Sequence, residues 1–107
     1  MSNSILIVDD SLTVRMDLAD AFEAVGIPTL LCPDLSSARE VLASTPVGLI
    51  ILDIILPDGD GVAFLKEILA VPELAQTPVL MLSSEAEIKD RIRGLATGAT
   101  EYVGKPY

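Results

Sequence analysis

The sequence predicts a doubly wound α/β domain, and three observations predict it. Short runs of branched apolar residues recur along the chain at intervals wide enough to hold a helix. Those runs are continuously apolar rather than alternating, as in parallel strands buried on both faces. The segments between them carry apolar residues at spacings of three and four, the period of an amphipathic helix, so strands and helices alternate.

The elements follow in order. "ILIV" (Ile5 to Val8) reads as a buried strand, after which Val14, Leu18, Ala21, Phe22 and Val25 mark a helix that Gly26 stops. "TLLC" (Thr29 to Cys32) is the second strand. Leu35 to Ser44 is the second helix, with a Ser or Asp available as its cap. "GLIIL" is the third strand and Gly61 to Leu69 the third helix, with Phe64, Leu65 and Ile68 on its apolar face and Asp60 as its cap. "VLML" (Val79 to Leu82) is the fourth strand, Glu87 to Thr97 the fourth helix, ended by Gly98, and "EYV" (Glu101 to Val103) a short fifth strand.

A length of 107 residues suits one domain with one core. Seven basic against sixteen acidic residues leave a formal charge of −9, which disfavours direct contact with nucleic acid. One cysteine and no histidine exclude an intrachain disulfide and a Cys/His zinc site. The N-terminus has no basic region followed by an apolar stretch, and Asp53 and Pro57 interrupt the longest apolar run, so neither a signal peptide nor membrane insertion is expected. The cytoplasm is the expected location.

In such sheets ligands bind beyond the carboxyl ends of the strands. The first strand ends in Asp9 and Asp10, the third in Asp53, the fourth in Ser83 and Ser84, and Lys105-Pro106 follows the fifth. A carboxylate between Leu52 and Ile54 costs several kcal/mol unless something compensates it. Two carboxylates about 4 Å apart repel by roughly 4 kcal/mol at an effective dielectric near 20. A hard cation with oxygen ligands, Mg²⁺ above all, relieves that repulsion without His or Cys. Such a cluster suits phosphoryl transfer, with a carboxylate as nucleophile and Ser83 and Lys105 placed to meet phosphate oxygens.

Four stretches, "ILIVDDS", "LIILDIILPDGDG", "PVLMLSSEAE" and "EYVGKPY", in this order and at these intervals, resemble the receiver domain of two-component response regulators. The resemblance runs from about Ile5 to Tyr107. It implies a flavodoxin-like fold with five parallel strands in the order 2-1-3-4-5, residues 1–107 forming one receiver domain whose fifth helix is missing from this chain. It implies that Asp53 accepts phosphate from a histidine kinase or phosphotransfer protein. Asp9, Asp10, Asp53 and the backbone carbonyl of Ile55 would hold Mg²⁺, with Asp9 acting largely through water. Ser83 would be the switch hydroxyl, Tyr102 the aromatic that turns inward behind it, and Lys105 the phosphate-binding cation. The domain would then regulate an output, either as a stand-alone regulator or through an effector domain further along the full-length protein, rather than act as an enzyme on other substrates.

Other readings stand beside these. Asp53 taken alone reads more readily as a strand-ending residue satisfied by loop amides, and only the other three motifs favour the acceptor reading; Asp9, Asp10 or Ser11 also read as helix caps. Ser84 replaces Ser83 if the register shifts by one. "DGDG" fails as a calcium loop, because Val62, Ala63 and Leu69 stand where an acid, a Gly and a Glu are required, and Asp58 reads as a turn residue. A phosphatase of the haloacid dehalogenase type needs a second Asp where Ile55 stands. A degenerate receiver acting without phosphate is the third class, disfavoured by the complete acidic set. Ile55 departs from relatives that carry a polar side chain near the attacking water. Without a fifth helix, apolar residues of the central strands and of the fifth strand are expected to lie open to water.

Overall fold

The structure is a computed structural model that describes residues 4–83 and 95–104, with Ser83, Tyr102 and Gly104 described through their backbones. Its elements are β1 (Ile5–Val8), α1 (Leu12–Glu23), β2 (Thr29–Cys32), α2 (Leu35–Ser44), β3 (Leu49–Asp53), β4 (Ile55–Leu56), β5 (Gly59–Asp60), α3 (Gly61–Leu69), β6 (Val79–Ser83) and β7 (Glu101–Gly104). Five of the strands form one parallel sheet in the order β2-β1-β3-β6-β7, the expected 2-1-3-4-5 winding. Residues 95–97 are helical, and the remainder of the expected fourth helix lies outside the described residues.

Each helix starts where a short oxygen-bearing side chain can take an unpaired backbone N–H. Ser11 accepts from Val14, Asp34 from Ser37 and Asp60 from Val62. α1 stops earlier than its apolar pattern suggests. The Gly26 N–H donates to the Glu23 carbonyl and the Ile27 N–H to that of Phe22, with Gly26 at φ +78°, a Schellman closure that only a residue without Cβ makes easily. Val25 therefore falls outside the helix and is exposed, as is Ala21, while Ala19 is the buried alanine of α1.

The sheet separates two apolar clusters, as expected from side chains that alternate across each strand. Leu6, Val8, Ile50, Leu52, Val79 and Met81 meet α2 and α3 through Leu35, Ala38, Val62, Leu65 and Ile68. On the other face Ile5, Ile7, Ile51 and Leu82 meet Val14, Leu18 and Phe22 of α1. The expectation that this second face lies open is corrected for the described central residues. Ile51 and Leu82 are buried, and Leu80 and Val103 are half-buried. Cys32 is a core residue, and burial pushes its thiol above the ordinary value against an opposing hydrogen bond from Ser37.

β3 also runs one residue further than its apolar run, so that Asp53 is its last residue and is buried. Beyond it β4 and β5 pair antiparallel around the turn at Pro57-Asp58, a two-rung hairpin in a stretch the sequence reads as a plain turn.

Candidate metal and phosphoryl site

Parallel pairing brings the acids together. Val8 is in register with Leu52, so Asp9, the next residue, stands abreast of Asp53 at the carboxyl edge of the sheet. Asp10 follows before the Ser11 cap of α1. Carboxylate oxygens of Asp9, Asp10 and Asp53 all lie within 4.8 Å of one another. Asp9 and Asp53 are buried and Asp10 is exposed, so the cluster has a protein-lined floor and a side open to water.

The buried acids are held by backbone donors. Asp9 Oδ1 accepts from the Ser11 N–H at 2.9 Å, and Asp53 Oδ1 from the Ile54 N–H at 2.8 Å. Neither Asp9 nor Asp10 caps α1, because Ser11 does, and the acids instead precede the positive end of the helix, which favours negative charge. A Cβ at Gly61 would collide with the Asp53 backbone carbonyl, and the Gly61 N–H donates to Ile54 at 2.6 Å, so α3 starts directly against the end of β3. The oxygen-only donor set, its spacing and its open side fit a hard divalent cation that keeps part of its water shell.

The other expected site residues are distributed as follows. Ile55 lies in β4 opposite Asp60, and its side chain is exposed. Ser83 ends β6 in register with Gly104, and Tyr102 lies in β7 in register with Met81. Lys105 and Ser84 lie outside the described residues. Two residues not singled out by the sequence reading of this site make polar contacts here. Arg15 Nη1 donates to the Asp9 carbonyl at 2.7 Å. Asp58 accepts from the Leu35 and Ser36 N–H groups at 2.9 and 3.0 Å, tying the β4–β5 turn to the start of α2. Arg15 carried no signal beyond being a base one turn after a cap, and Asp58 carried only its turn context.

Comparison with known proteins agrees with this geometry. Residues 5–107 match the family described as the response regulator receiver domain. The phosphate regulon transcriptional regulatory protein PhoB of Escherichia coli K12 is 36% identical over 107 residues, all of this chain and 47% of that protein. The chain thus spans about half the length of the curated relatives it matches. The chemotaxis response regulator CheY4 of Vibrio cholerae has a similar structure, with a TM-score of 0.92, 27% identity, and coverage of 100% of this chain and 89% of that one. A two-component response regulator from Clostridium difficile gives 0.92 at 28% identity, covering 99% and 85%.

Proposed function

The chain belongs to the receiver-domain family of two-component response regulators, and from that premise we propose that Asp53 is the residue that accepts the phosphoryl group. The observation that carries this is the position of Asp53, buried at the end of the central strand with carboxylate oxygens of Asp9 and Asp10 within 4.8 Å. A receiver is a regulatory phosphoacceptor rather than an enzyme acting on a separate substrate. An oxygen of Asp53 attacks the phosphorus of a phosphohistidine on a histidine kinase or phosphotransfer protein. The phosphorus–nitrogen bond breaks, the histidine departs, and an acyl phosphate remains on Asp53.

Asp9, Asp10, Asp53 and the Ile55 backbone carbonyl would hold Mg²⁺, which when bound neutralises phosphate oxygens. The protein's own part is positional. β3 holds the nucleophile at the sheet edge, and the Ile54 N–H fixes one of its oxygens. Ser83 and Lys105 are assigned to the phosphoryl oxygens and Tyr102 to the space behind Ser83, on the family pattern and on the strand ends they occupy or follow. Residues 1–107 act as one receiver unit. Its output passes to an effector domain or a separate partner. No helix among the described residues is long and apolar enough to cross a membrane, and the charge of −9 disfavours direct nucleic-acid contact by this unit; a cytoplasmic site of action follows from the family reading.

Incubation with a small phosphodonor should add one phosphoryl mass in Mg²⁺ and none with a chelator. Asp53→Asn should take up none. Equal labelling of that variant would remove Asp53 from the role.

A further inference from the structure

The peptide unit joining Asp9 to Asp10 is gripped on its carbonyl side by a cation. Arg15 Nη1 donates to that carbonyl at 2.7 Å from the first turn of α1, where the Arg15 N–H itself donates to Ser11. The rest of Asp9 is equally constrained. Its N–H donates to the Cys32 carbonyl at 3.0 Å, and its Oδ1 accepts from the Ser11 N–H. Asp10 is exposed and makes no hydrogen bond among the described residues, so its position follows from the peptide on which it hangs. A change in the backbone turn at this carbonyl would move the Asp10 carboxylate relative to those of Asp9 and Asp53.

We infer that Arg15 is a positioning residue for the cation site, holding the Asp9–Asp10 peptide so that the two carboxylates are presented together with Asp53. This rests on the metal-site reading above. Two effects of Arg15 oppose each other. Its positive charge disfavours a second cation nearby, while its hydrogen bond preorganises the acids that bind one. Salt screens the first far more than the second, since the Debye length falls from about 8 Å at 0.15 M to about 3 Å at 1 M. Supporting contacts of this kind are typically worth on the order of 10- to 100-fold in metal affinity. At high salt the tether therefore dominates.

The test is calorimetric titration of the 107-residue chain with Mg²⁺ alone, at both salt concentrations, for wild type, Arg15→Met and Arg15→Lys. Arg15→Met should weaken binding by about 10-fold or more at high salt. Arg15→Lys, which keeps a charged donor on a long flexible side chain, should recover part of the loss. Amide exchange at Ser11 should quicken in Arg15→Met and not in Arg15→Lys, whereas a general loss of stability would quicken exchange throughout α1. Unchanged or tighter Mg²⁺ binding by Arg15→Met at high salt overturns the inference, as does failure of Arg15→Lys to recover. Absence of Mg²⁺ binding by wild type would instead overturn the metal-site reading itself.

Discussion

Asp53 occupies the last position of a strand whose preceding residues, Ile50 to Leu52, are all buried and apolar. A carboxylate there is costly to bury, the Ile54 N–H donates to one of its oxygens, and Asp9 and Asp10 stand close enough to repel it. The position makes sense for a group that must be both rigid and reactive. Two residues on, Ile55 presents an apolar side chain that is 59% exposed. It offers nothing to orient a hydrolytic water and can shade the acyl phosphate from solvent. Ile55→Asn should therefore lose its phosphoryl group several-fold faster than wild type, followed by mass spectrometry after removal of the donor. An equal or slower decay would show that the side chain does not set the lifetime.

At the scale of elements, the start of α2 is held from two directions. Asp34 caps it locally, accepting from the Ser37 N–H at 2.9 Å and hydroxyl at 2.6 Å, while Asp58 reaches in from the β4–β5 turn to take the two preceding N–H groups. The helix N-terminus thereby anchors the hairpin that follows Asp53. The Leu35 amide, aided by that of Ser36 and opposed by partial desolvation, holds the Asp58 carboxyl below the ordinary value. An acid with a lowered folded pKa stabilises the fold above its ordinary titration range and loses that contribution as pH falls through the lowered value. Asp58→Ala should melt below wild type at neutral pH, and the gap should close in acid below the ordinary Asp value of about 3.9. A gap of the same size at both pH values would rule out these bonds as its source. α2 and α3 are joined further out by a bidentate Arg39–Glu67 pair beside Phe64, where the Arg39 guanidinium holds the Glu67 carboxyl below its ordinary value.

For the molecule as a whole, the sheet connects the acid cluster to the strands assigned to the switch. β3 pairs with β6 and β6 with β7, so Asp53 stands level with Leu82 and, one strand further, with Val103, next to Tyr102. Phosphorylation is expected to bias an equilibrium between two arrangements of Ser83 and Tyr102. Ser83→Ala should still accept phosphate on Asp53, yet show a smaller phosphorylation-dependent change in amide exchange over residues 87–97. The same change in both proteins would take the Ser83 hydroxyl out of the switch.

The sequence by itself determined the order of strands and helices, because apolar period and capping are local. Ile5–Val8, Thr29–Cys32, Leu35–Ser44 and Gly61–Leu69 all have the bounds their residues predict. It also determined that Asp9, Asp10 and Asp53 converge, since a parallel sheet collects whatever follows its strands at one edge. Only the tertiary structure decided that Asp53 stays within β3, that Ala19 rather than Ala21 is buried, and that a hairpin forms around Asp58. It alone decided that Arg15 holds the Asp9 carbonyl and that Asp58 holds α2 across more than twenty residues. The physical reason is common to all of these. A side chain's local period records which face it occupies, whereas its hydrogen-bond partner depends on where separate segments meet after the sheet has wound.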